Sequence, residues 1–126
     1  MHELAITQAI LSVVLEAAEA AGARRVTAVG LTVGALTSYV DDSIRFYFEL
    51  LSKGTLAEGA LLRIRREPGE GRCQTCGGTF LVEPPLLPAC PLCGSFDIQI
   101  EGGNRCLVEC IEVEDGDLHP GGEGYP

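Results

Sequence analysis

The sequence predicts an α+β fold: two helices and a small mixed β-sheet, interrupted by an inserted four-cysteine module. Three observations lead there. Residues 4–21 and 41–53 place apolar side chains at spacings of three and four. Residues 25–36, 60–67 and 106–113 alternate apolar with small or polar residues. Between the last two of these lie Cys73-Gln-Thr-Cys76 and Cys90-Pro-Leu-Cys93.

In chain order, Leu4, Ile10, Val13, Val14, Ala17, Ala18 and Ala21 form the inward stripe of the first helix, and Gly22 ends it. In the strand that follows, Val29, Leu31 and Val33 alternate with Gly30, Thr32 and Gly34. Those small residues imply a face packed closely under another element. Asp41 or Asp42 caps the second helix, which turns Ile44, Tyr47, Phe48 and Leu51 inward and stops at Gly54. Pro68-Gly69-Glu70-Gly71 reads as punctuation marking a module boundary. Short strands at 80–82 and 96–100 flank the second half of the module, and Gly102-Gly103 breaks the latter. The final strand would be stranded unless it returned to the first sheet. The expected domains are therefore 1–68 completed by 98–115, an insertion at 69–97, and a flexible acidic, glycine-rich tail at 116–126.

Composition bounds the rest. A chain of 126 residues with 46% apolar residues and no Trp supports one aliphatic core. The net charge of −9 argues against a nucleic-acid partner, because phosphate contacts need clustered Lys and Arg. The one small basic cluster, Arg63, Arg65, Arg66 and Arg72, fits the solvent face of a strand or a docking patch for an acidic protein. No apolar run reaches the roughly 20 residues of a membrane span, and no secretory leader is evident. Paired cysteines without an export signal point to a reducing cytoplasm, where thiols bind metal.

The cysteine pairs are the most specific chemical signal. Two knuckles joined by a short loop set four thiolates around one tetrahedral ion, most often Zn²⁺, as in a zinc ribbon. Glycine follows each pair, at Gly77-Gly78 and Gly94, and lets backbone N–H groups approach the sulfurs. Met1-His2-Glu3 is the second signal. If Met1 keeps its α-amine, that amine, the His2 amide nitrogen and the His2 imidazole can chelate Ni(II) or Cu(II) in a flat arrangement. A solvated terminal histidine is the plainer reading. His119, in the tail, reads as incidental. Cys106 and Cys110 lie about 13 Å apart along a strand at about 3.3 Å per residue, too far for a mutual disulfide. They read as two small half-buried side chains, an intermolecular disulfide or a further soft-metal site.

The order of these features resembles the HypA/HybF family of hydrogenase and urease nickel-incorporation metallochaperones. Carrying the resemblance are Met1-His2-Glu3, Gly34, the stretch Lys53-Gly54-Thr55-Leu56-Ala57-Glu58-Gly59-Ala60, the two knuckles and Ile111-Glu112-Val113-Glu114, over about residues 1–114. It implies a carrier, not an enzyme, with the two helices packed on the sheet. Its Ni²⁺ cargo would be bound weakly at the N-terminus and its structural Zn²⁺ tightly by Cys73, Cys76, Cys90 and Cys93. The nickel donors it implies are the His2 imidazole, the Met1 terminal amine and the Glu3 backbone nitrogen, with the Glu3 carboxylate tuning the site. Asp41 is either a further nickel neighbour or an ordinary helix cap. The partners implied are the HypB GTPase and the large-subunit precursor of [NiFe] hydrogenase, with urease maturation served by some members. The chain would act as a monomer or dimer, with no nucleic-acid or membrane partner. Imidazole binds metal only when neutral, so nickel affinity should fall in acid. The competing readings are a generic zinc-ribbon interaction module, a rubredoxin-like iron protein and a dithiol oxidoreductase.

Overall fold

The computed structural model describes residues 2–115, so the Met1 amine, the tail at 116–126 and His119 lie outside the described residues. The elements run α1 (Glu3–Ala20), β1 (Ala23–Gly34), α2 (Asp41–Leu51), β2 (Leu61–Glu67), β3 (Gly69–Cys73), β4 (Thr79–Val82), β5 (Ile98–Gly102) and β6 (Cys106–Asp115). They form two three-stranded sheets, ordered β2-β1-β6 and β4-β3-β5, so the class is α+β as expected. The chain divides into two compact units. Among the described residues, 2–31, 39–64 and 107–115 form the first, and residues 32–38 and 65–106 the second.

The first unit is built on aliphatic burial. Val14, Ala18, Val26, Val29 and Ile44 are closed to solvent, with Phe48 and Leu62 nearly so. β1 is the middle strand, and neighbouring residues on opposite faces, such as Ala28 and Val29, are both buried. Covering on both sides is why burial along β1 does not follow the two-residue alternation of its sequence. The inward stripe of α1 differs from the predicted one. Glu3, Thr7, Ile10, Leu11, Val14 and Ala18 are buried, whereas Leu4 and Val13 face out. Polar residues can hold two of these positions because both are hydrogen-bonded. Thr7 Oγ1 donates to the Glu3 carbonyl, and a Glu3 carboxylate oxygen accepts the Val40 N–H at 2.9 Å. α2 buries Ile44 and Phe48 as predicted, with Tyr47 and Leu51 half-buried. Neither Asp41 nor Asp42 caps it: Val40 holds the N-cap, with no side-chain cap bond, and both aspartates lie in the first turn. A carboxylate there still meets the positive end of the helix dipole.

Charged residues of β1, β2 and β6 face solvent and pair. Arg63 bonds Glu112, while Arg24 and Arg25 reach the two Glu114 oxygens at 3.0 and 2.9 Å. In the second unit Arg65 donates to Thr32 Oγ1 and Arg66 to the Gly34 carbonyl, both at 3.0 Å. Gly34 itself must be glycine. Its N–H donates to the Arg105 carbonyl at 2.6 Å, and a Cβ there would strike the Gly103 backbone.

The second unit corrects two expectations. Residues 69–73 are a strand, the centre of the second sheet, and not punctuation. Glycine normally weakens a strand, but here its bareness is used: a Cβ at Gly71 would overlap the Phe80 ring. The second departure is β5, which the sequence boundary assigned to the first domain along with the rest of 98–115. It pairs antiparallel with β3, with Gly69 opposite Gly102 and Cys73 opposite Ile98. Gly102 and Gly103, at φ of 75° and 71°, then turn the chain toward β6.

Candidate metal centre

Cys73 ends β3, and a turn carries the chain to Cys76 and on to β4; Cys90 and Cys93 sit on a second turn before β5. The two turns are built alike. The Cys73 N–H donates to the Gly78 carbonyl at 3.0 Å, and the Gly77 N–H to the Cys73 carbonyl at 2.9 Å. In the second knuckle the Cys90 N–H donates to the Ser95 carbonyl at 2.7 Å, and the Gly94 N–H to the Cys90 carbonyl at 2.8 Å. Gly77 and Gly94 sit at φ of 77° and 81°, a conformation that L side chains rarely adopt. Each knuckle also aims amides at its buried sulfur. Thr75 and Cys76 N–H groups reach Cys73 Sγ at 3.3 and 3.4 Å, and the Leu92 N–H reaches Cys90 Sγ at 3.3 Å.

The four sulfurs lie within 4.8 Å of one another. Cys73 and Cys93 Sγ are 3.6 Å apart, and Cys76 and Cys90 Sγ are 3.8 Å apart. A tetrahedral Zn²⁺ with Zn–S bonds of about 2.3 Å needs S···S edges of about 3.8 Å, so the spacing fits that ion. Protonation tells the same story. N–H donation from Cys76 leads the causes that lower the Cys73 thiol to about 6. For Cys93 the Ser95 N–H acts downward, but the Cys73 sulfur and desolvation outweigh it and push the thiol up to about 12. Four sulfurs this close cannot all ionise without a cation among them. Cys73 and Cys90 are buried and Cys76 and Cys93 exposed, so the centre is closed on one side and open on the other.

The N-terminal residues are placed as follows. His2 is exposed and precedes the first turn of α1. Glu3 is buried, and its carboxylate accepts the Val40 N–H at 2.9 Å. Because Val40 adjoins Asp41, the bond from Val40 to Glu3 joins the chain segment beside His2 to the segment carrying Asp41. Asp41 is half-buried. Sequence reasoning missed the Glu3 side-chain bond; the only hint was an acidic residue in phase with the buried stripe. Cys106 and Cys110 are free thiols on β6, the first half-buried and held above its ordinary pKa by desolvation. Among the described residues, Cys73, Cys76, Cys90 and Cys93 are the one cluster of side chains spaced to hold a metal.

Two helices, two small sheets and a four-sulfur cluster define a small α+β metal-binding protein. Residues 1–113 match the family described as hydrogenase/urease nickel incorporation, metallochaperone, hypA, and the chain belongs to that family. It is similar to a hydrogenase maturation factor HypA of Dehalococcoides mccartyi, 40% identical over 115 residues covering 91% of this chain and 96% of that one. The factor of the same name from Geobacter metallireducens is 42% identical over 114 residues, covering 90% of this chain and all of that one. In fold it is similar to the solution structure of the Ni metallochaperone HypA from Helicobacter pylori. That match has a TM-score of 0.64 at 22% identity and covers 91% of this chain and 99% of that one. Membership places the chain among metal carriers and not among enzymes. Among the described residues, no helix is long and apolar enough to cross a membrane.

Proposed function

We propose that this chain carries a single Ni²⁺ at its N-terminus for hydrogenase maturation while Cys73, Cys76, Cys90 and Cys93 retain a structural Zn²⁺. The nickel donors are the Met1 amine, the backbone nitrogens of His2 and Glu3 and the His2 imidazole, with Asp41 beside them. The observation that carries this reading is the hydrogen bond from the Val40 N–H to the Glu3 carboxylate. It engages one oxygen of the Glu3 carboxylate and ties the segment carrying Asp41 to the residue after His2. Amide nitrogens and imidazole suit Ni²⁺, whereas closed thiolate sites suit Zn²⁺. A site made at a chain end from few side chains releases its ion readily, as a carrier requires. The recipient is the large-subunit precursor of [NiFe] hydrogenase, with the HypB GTPase as working partner, in the cytoplasm. Urease maturation is the alternative destination.

Nickel titration by calorimetry on zinc-loaded protein tests the proposal. The native terminus should bind about one Ni²⁺, and a form with a short N-terminal extension or His2→Ala should not. Equal binding by native and extended forms would end the terminal-site reading.

A further inference from the structure

Beyond the four sulfurs, the two knuckles touch each other through a second set of residues related by the local repeat. In each Cys-x-x-Cys the residue before the second cysteine, Thr75 or Leu92, meets the residue two past the second cysteine of the other pair, Ser95 or Gly78. Thr75 Oγ1 and Ser95 Oγ are 2.8 Å apart, a hydrogen bond. The Leu92 side chain lies over Gly78 so closely that a Cβ there would collide with Leu92 Cδ1 and come within 3.4 Å of Cys76 Sγ. One crossing is polar and the other apolar, on the same plan.

Both crossings act on residues that hold the sulfurs. Thr75 and Leu92 are themselves N–H donors to Cys73 Sγ and Cys90 Sγ. Gly78 and Ser95 accept the N–H groups of Cys73 and Cys90. Moving either crossing therefore moves an amide donor and the backbone of a ligand together, as outer-shell partners of metal sites generally do.

We propose that the paired crossings, Leu92 on Gly78 and Thr75 with Ser95, fix the spread of the four sulfurs and so set how slowly the centre gives up its metal. The inference rests on the reading that these cysteines hold Zn²⁺. Leu92 and Thr75 are positioning residues: they touch the ligand knuckles and not the ion. Exposure of Leu92, at 63%, shows that its apolar contact contributes little to the rest of the core, so removing it tests the crossing and not the fold.

The test uses the full chain loaded with Zn²⁺, with the rate of metal transfer to excess chromophoric chelator as readout. The absorption spectrum of the Co²⁺ form reports sulfur geometry independently. Gly78→Ala, which wedges Leu92 away, should speed transfer about tenfold and shift the Co²⁺ bands. Adding Leu92→Ala to Gly78→Ala removes the collision and should bring the rate back to that of Leu92→Ala alone, a non-additivity expected of residues in contact. Thr75→Val should speed transfer by a smaller factor. A double variant as fast as Gly78→Ala, or Gly78→Ala at the wild-type rate, overturns the inference. If Gly78→Ala does not fold, Leu92→Ala and Thr75→Val decide it: wild-type rates in both overturn it. A wild-type chain that takes up no Zn²⁺ removes the metal reading itself, an outcome separate from unchanged transfer rates.

Discussion

In the first unit Val14, Ala18, Val26, Val29 and Ile44 are sealed from solvent, whereas in the second Leu81, Leu87, Leu92 and Phe96 are more than half exposed. Among the few side chains the second unit does bury are Cys73 and Cys90. The first unit is held by ordinary aliphatic packing across helices and strands. The second unit, residues 32–38 and 65–106, leaves many of its large apolar side chains exposed, and small domains with so thin a core commonly rely on a metal. Two ways of stabilising a fold thus stand in one chain. In the second unit a cluster of four sulfurs spaced to hold a metal ion stands where the first unit has its aliphatic core.

The largest expected effect follows from that contrast. Removing metal with a strong chelator, or making Cys90→Ser, should strip amide hydrogen-exchange protection from residues 69–102 while α1 and α2 keep theirs. Uniform loss across both units would show that the stabilising mechanisms are not separate. A smaller effect of opposite address comes from Ile44→Ala. Ile44 is fully buried on α2, so the change should cost about 2–5 kcal/mol in thermal unfolding of the first unit. Zinc affinity measured by chelator competition should stay at the wild-type value, and a weakened site would break the comparison.

The same contrast explains what the sequence made legible. α1, α2, β1 and β6 were readable as elements from their apolar spacing, though only in α2 does that spacing match burial, at Ile44 and Phe48. The four cysteines were readable because ligand spacing is set by coordination chemistry and not by context. β3 was not, because its glycines look like breaks until Phe80 is seen lying over Gly71. The strand partner of β5 was equally hidden, since pairing is a tertiary choice that Ile98 and Ile100 do not specify. Helix periodicity also misled at the start of α1. Leu4 fits the apolar stripe as well as Glu3 does not, yet Glu3 is the buried one because Val40 offers it an N–H.

Acid gives the smallest and most discriminating prediction, because each unit carries an ion pair of similar kind. Arg105 holds the Glu67 carboxyl below its ordinary value of 4.5 in the second unit, and Arg25 with Arg24 does so for Glu114 in the first. A depressed folded-state pKa means the folded chain binds fewer protons than the unfolded chain. Each pair therefore contributes stability that is fully present above the unfolded carboxylate value and lost as pH falls through the lower folded one. Both pairs are partly exposed, so the contribution is modest and salt-sensitive. Titrating thermal stability of Arg105→Ala and Arg25→Ala from neutral pH down past 4 should show each variant less stable than wild type near neutrality and converging on it in acid. Salt should narrow the gap at neutral pH. A gap that persists below the folded carboxyl values would mean these arginines act through packing of their stems and not through their charges.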